Sequence, residues 1–487
     1  MPSRRNPTWE GLFCYESPPP AATTNGNNKI KSRRAPSESK PPPATPPAMA
    51  SAVSKTPMLR AAAARGFAAQ AKAASAGCGS GEPQCSNLPN KLAVASAEPN
   101  AAVARVSIVY RAGSRNESGD NLGASHVLRA ASGLSTKTAT SFGIVRNLQQ
   151  VGGSLTTTAD RETVTYTVAV TKDHLETGLK YLEAAATGQV FKPWELADLT
   201  ALIKTDLSRV PLEVRAVESL HKAAYHSGLG NSVFCPKYQV GKHSSETMQH
   251  YFEANCSASR AAVAAVGVDH QLLVGFAQSL NLGSGKGSDN KSSFNSSEVR
   301  HERGGNRAAV AVATQAAGWD NLKDCMAYIV LQHAAGTGPV TKRGGNNGAL
   351  TKQLSGVNSS TLCSTYSDNG LFGFVVAGDA KAVGKAVEAG VKGLKSLNVS
   401  DEDVARGKAA TLGWVVDYVE NHSTLAFDLG EQAALLGQIY KKADMVAAIN
   451  GVSTSDVQSV ARKLASAKLA VGAVGNLNSV PYLCNLN

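Results

Sequence analysis

The chain has 487 residues, 43% of them apolar and 6% aromatic, with a formal net charge of +12. That length allows two or three domains with real cores, and the composition excludes a disordered or fibrous chain. No run approaches the roughly 18 consecutive apolar residues of a membrane-spanning helix. The positive charge is concentrated at the front: residues 1–90 carry 11 Lys/Arg against 4 Asp/Glu, residues 91–487 carry 38 against 33. The body is thus only mildly basic, and it shows no Lys/Arg stripe with interleaved aromatics of the kind that grips nucleic acid.

In chain order, residues 1–48 are rich in Pro, Ser and Asn and are expected to be a disordered extension. From Met49 the text changes to "MASAVSKTPMLRAAAARGFAAQAKAASAG", with Lys55, Arg60, Arg65 and Lys72, no acidic residue and many Ala and Ser. Residues 49–86 therefore read as a mitochondrial transit peptide and a disordered lead-in, with Arg65-Gly66-Phe67 resembling a matrix processing site and Met49 expected as the initiator.

The body repeats itself. Asp160 in "TADR" leads into the alternating "TVTYTVAV", and Asp368 in "YSDN" leads into "GLFGFVVA", 208 positions later. "VAAVG" at 263–267 returns as "VGAVG" at 471–475 at the same offset. The offset predicts homologous domains at 87–282 and 300–487. Between them, 283–299 includes "GSGKGSDNKSSFNSS", a composition expected to be a flexible linker and a hinge.

Within the first domain "KLAVASAE" and "ARVSIVYRAG" alternate as a strand pair, "GASHVLRAASGL" and "FGIVRNLQQVGG" are helical, and "SLTTTADRETVTYTVAV" is a hairpin. "DHLETGLKYLEAAAT" and "KPWELADLTALIKTDLSRV" follow as amphipathic helices, the second with Pro193 near its start. The fold class is α+β, an antiparallel-rich sheet packed with helices in each domain.

Eight cysteines, none in a C-x-x-C pair, read as free thiols in a reducing compartment. There is no haem-attachment motif, no cluster-type cysteine spacing and no "GK[ST]" closing the Gly-rich stretch at 336–348, so no cofactor is expected.

The order strand pair, "AGSR", polar loop, "G-A-S-H-x-L" on a helix resembles the pitrilysin-type inverzincin metallopeptidases and their mitochondrial relatives. Their H-x-x-E-H places two zinc-binding histidines on one helix face with a glutamate base between them. A glutamate some seventy residues on completes the ligand set. Laid on this chain, His126 matches the first ligand, Arg129 stands at the base, Ala130 at the second ligand and Leu199 at the third. Leu199 is also explained as core, because Leu196, Leu199, Ile203 and Leu207 form an apolar helical stripe.

Catalytic zinc needs three protein ligands and a water. One imidazole, an alanine and a leucine do not supply them, and a permanently charged guanidinium can neither accept a proton nor tolerate a cation beside it. His221 and His226 are five apart and off one face, and His333 has no second ligand nearby. The expectation is therefore no catalytic residue, no metal and no enzyme activity.

Further resemblance, in "GTGPVTKRGGNNGALTKQLS", "YSDNGLFGF", "FCPKYQVGK" and "AVGNLNSVPYL", is to the core-subunit branch of ubiquinol–cytochrome c reductase (respiratory complex III). It implies a structural subunit on the matrix side of the mitochondrial inner membrane. The implied partners are core protein 1 and the other subunits of the dimeric complex, and membrane contact comes only through them. The alternative is a non-catalytic alpha-type subunit of the mitochondrial processing peptidase, which would add presequence peptides as ligands.

Overall fold

In a computed structural model the described residues are 81–285, 287, 291–338, 348–354 and 356–486. The expected disordered extension and nearly all of the expected transit peptide lie outside them, as does most of the Gly-rich stretch.

The first half contains strands β1 Gln84–Asn87, β2 Ala93–Ala97 and β3 Val103–Tyr110, then helices α1 Ala124–Ala130 and α2 Ser141–Gln150. The hairpin β4 Ser154–Ala159 and β5 Val164–Thr171 follows, then α3 Leu175–Thr187, α4 Pro193–Arg209, α5 Leu212–Tyr225, α6 Ser245–Asn255, β6 Ala261–Val266 and α7 His270–Ser279. The second half runs β7 Glu298–Glu302, β8 Arg307–Ala316, α8 Leu322–Ala335, β9 Asn358–Thr365, β10 Gly370–Asp379, α9 Ala380–Lys395, α10 Asp401–Glu420, α11 His422–Leu436, α12 Lys442–Gly451, α13 Thr454–Ala465 and β11 Leu469–Gly475.

The sheet orders are β1-β2-β6-β3-β5-β4 and β7-β11-β8-β10-β9. Without β1 the two are the same five-stranded design, antiparallel except at β2–β6 and β7–β11. The repeat read from the sequence is thus a repeat of whole sheets.

Two expectations change. β2 and β3 are not partners, because β6, 151 residues beyond β3, inserts between them and pairs with both. Residues 84–87 belong to the body rather than to a disordered lead-in: "QCSN" has no apolar pattern, and β1 is held through its backbone pairing with β2 and by Ser86 Oγ, 3.0 Å from His270 Nε2.

Both faces of each sheet are covered, so the central strands are apolar without clean alternation. On the outer face of the first sheet, Ala261, Val263 and Ala265 join Val106, Ile108, Tyr166 and Val168 under the helices. The equivalent core in the second half has Val310, Val312, Phe372, Phe374 and Val471.

The inner faces are covered by exchanged helices. α5, from the first half, lays Ala216, Leu220 and Ala223 on Ala309, Ala311, Ala470 and Val474 of the second sheet. α11, from the second half, lays Leu425, Ala426, Leu429 and Ala433 on Ala262, Ala264 and Val266 of the first. Backbones touch at these seats: a Cβ on Gly472 would lie 2.2 Å from Leu220 N.

The segment between the halves, expected to be a flexible hinge, is anchored where it is described. Ser257 Oγ–H donates to Gly285 O, Asn295 N–H to Ala224 O and Ser292 N–H to Asp368 Oδ2. Phe294 packs with the α5 cluster against Tyr225. At those positions tertiary hydrogen bonds override the flexibility that a Gly/Ser composition allows.

Candidate functional site: a degenerate metal pocket

α1 is short, seven residues, and its start is fixed from outside the helix. Gly123 has φ +90° and lies so close to Cys235 that a Cβ would come within 2.6 Å of its Cα. The Glu117 carboxylate accepts from Gly123 N–H (2.7 Å), Ser125 N–H (2.8 Å) and Ser125 Oγ–H (2.6 Å), taking the orphan donors of the first turn. Burial pushes Glu117 up to about 7 in spite of those three bonds.

This places His126 on the inward face, fully buried. Its Nδ1 accepts from Cys235 N–H at 3.1 Å, so in the neutral ring the proton sits on Nε2. Burial pushes the imidazole below its usual pKa, in the direction of the neutral form. Nε2 faces Asp206 Oδ2 at 3.8 Å, beyond hydrogen-bond reach, and has no other partner among the described residues. Arg129, one turn on, brings Nη2 to 3.5 Å from the same Oδ2. The facing His126, with Arg129 beside it, holds the Asp206 carboxyl below its usual range.

His126, Arg129 and Ala130 therefore lie together on the one short helix α1. Leu199, with Ile203, is buried in the core of the first half, with Leu196 and Leu207 packed around it. The carboxylate opposite His126 is Asp206, two turns further along α4 and 76 positions past Ala130. Asp206 has a sequence signal, an acid lying on the apolar stripe of Leu199, Ile203 and Leu207, where an unpartnered carboxylate would be costly.

The residues do not fit zinc. The position-130 methyl offers no donor, leaving one imidazole and one carboxylate, and the guanidinium beside Asp206 already supplies the cation. Arg129 cannot serve as a base for water activation. Among the described residues no group of three or more His, Cys, Asp or Glu is placed to hold a metal. No disulfide joins the six described cysteines to one another.

The chain matches the model of the Insulinase (Peptidase family M16) over residues 92–237 and that of the Peptidase M16 inactive domain over 242–411. It is 34% identical to the mitochondrial cytochrome b-c1 complex subunit 2 of Mus musculus, over 82% of this chain and 91% of that protein. The Homo sapiens protein of the same name is 32% identical, with the same coverage of each chain. The probable mitochondrial-processing peptidase subunit alpha-1 of Arabidopsis thaliana is 26% identical over 82% of each chain. Among solved structures, a chain of Complex III2 from Candida albicans, Inz-5 bound, superposes with a TM-score of 0.71 at 18% identity, covering 83% of this chain and 99% of that one; it shares the fold. The chain belongs to the M16 peptidase family, in the branch of the mitochondrial cytochrome b-c1 complex subunit 2 proteins.

Proposed function

We propose that this protein is a structural, non-catalytic core subunit of mitochondrial ubiquinol–cytochrome c reductase, needed for assembly and stability of that complex. The observation that carries the reading is the metal pocket itself. Arg129 and Ala130 replace a base and a ligand, while the surrounding fold, down to the capped α1, stays intact. No described helix is long and apolar enough to cross a membrane, so we assign it a peripheral position. The basic stretch at 49–77, which has no acidic residue, supports the matrix side, and core protein 1 and the other subunits are its partners. We also take 87–282 and 300–487, with 283–299 between them, as its domains, a division supported by the repeated sheet order.

The second reading, a presequence-binding alpha-type subunit of a processing peptidase, draws on the carboxylates Asp160, Asp428 and Glu431 between the halves, which complement basic peptides. Blue-native electrophoresis of mitochondrial membranes with mass spectrometry separates the two. The first reading expects this chain in a band with cytochrome b and cytochrome c1. Migration instead with a chain carrying intact H-x-x-E-H, and none in that band, contradicts it.

A further inference from the structure

The two turns that mark the sequence repeat meet tip to tip. Arg115, in the turn after β3, donates from Nη1 to Glu162 Oε1 of its own half at 2.6 Å. It grips Asp368 of the other half with both nitrogens, at 3.0 and 2.6 Å. Glu162 in turn accepts from Ser367 N–H (3.0 Å) and Ser367 Oγ–H (2.6 Å) across the seam. Asp368 Oδ2 also accepts from Ser292 N–H of the connecting segment. A second layer lies beside it. Arg161, fully buried, pairs with Glu218 of α5 and donates to Leu229 O and Asn231 O. Tyr366 O–H donates to His221 Nε2 at 2.8 Å, and His221 Nδ1–H to Val217 O. Tyr225 O–H donates to Gly370 O.

The charges do not balance. Two guanidiniums, Arg115 and Arg161, face six carboxyl groups: Asp160, Glu162, Glu218, Asp368, Asp428 and Glu431. His221 adds no charge, because burial holds it well below its usual pKa. The excess lies on the β4–β5 turn and on α11, where Glu431 Oε1 accepts from Thr163 Oγ1–H at 2.6 Å and Asp428 Oδ2 from Gln432 Nε2–H at 2.8 Å. Among the described residues neither has a cationic partner within ion-pair distance.

We infer that this seam is a proton-dependent clasp: the Arg115 bridge holds the two halves together, and the surplus carboxyl groups behind it loosen the closure when they ionise. The direction follows from linkage. Burial, with Asp160 nearby, pushes Glu431 up to about 8, and burial pushes Asp428 up to about 6 and raises Asp160. A carboxyl raised in the closed state stabilises that state while protonated. That stabilisation is complete below its ordinary pKa and is lost as pH rises through the raised one. The clasp is therefore tightest below the ordinary carboxylate range and loosens progressively as pH rises to about 8, above which it changes little. The exchanged α5 and α11 keep the halves from parting, so the loosening is local to the seam.

The test is hydrogen exchange on the purified full chain, corrected for intrinsic rates, reading the amides of Ser367, Ser292 and Asn295 between pH 6 and 9. Protection should fall about tenfold per unit from pH 6 to just below 8 and level off above it, the response of one dominant carboxyl. Glu431→Gln keeps the Thr163 bond and should leave protection high and nearly flat. Arg115→Gln should lower it at every pH. Protection that is flat in the unaltered chain, or that falls equally in Glu431→Gln, overturns the inference. The α8 amides in the outer core serve as the internal reference.

Discussion

The exchange of α5 and α11 can be tested with three glycines. A Cβ on Gly472 would lie 2.2 Å from Leu220 N and 2.4 Å from Ala216 O, both backbone atoms of α5. No rotamer change relieves that contact, so the helix must lift by about 1 Å to regain van der Waals distance. Overpacking of this kind costs about 1–3 kcal/mol, and a rigid backbone partner puts Gly472→Ala at the upper end. At the equivalent seat a Cβ on Gly430 would meet a methyl group of Val109 at 2.5 Å and Ala264 Cβ at 3.3 Å. Val109 can turn aside, so Gly430→Ala should cost about 1 kcal/mol, at the lower end of the same range. Gly413, exposed within α10, has nothing within 4 Å of its would-be Cβ, and Gly413→Ala should stabilise by about 0.5–1 kcal/mol through helix propensity. Urea midpoints would rank the three, and protease susceptibility of the 226–231 connection would report release of α5. If Gly472→Ala is as well tolerated as Gly413→Ala, α5 is not seated on β11.

Arg161→Met strands the buried Glu218 and should cost about 3–5 kcal/mol in the same urea assay, with much of the loss recovered in Arg161→Met/Glu218→Leu. Tyr366→Phe removes the hydroxyl that His221 accepts from, and should cost about 1–3 kcal/mol. Arg129→Glu with Ala130→His should gain zinc binding, seen by calorimetry, and adding Asp206→Ala should abolish it. Retention of zinc after that third change would mean that Asp206 is not the facing ligand.

What the sequence disclosed depended on the range of the forces involved. The repeat was legible because Asp160 and Asp368 head similar strands at one offset, and β-alternation is a local signal. The loss of catalysis was legible because His126, Arg129 and Ala130 sit within one turn and a half of a single helix. Asp206 was missed because the third ligand lies on a separate helix, where a shift of two turns keeps the same face and so leaves the apolar pattern unchanged. The helix exchange was invisible for a related reason. Amphipathicity shows that α5 and α11 each bury a face, but not which sheet receives it. The Arg115 bridge joins residues 253 positions apart through a turn with no periodicity.

The central claim is that the ancestral metal pocket survives here only as architecture. Its most direct measurement is the zinc content of the purified full chain after equilibration with zinc and desalting, in parallel with a His126→Ala variant. The account predicts no stoichiometric zinc in either. One zinc per chain that is lost with His126→Ala would contradict it.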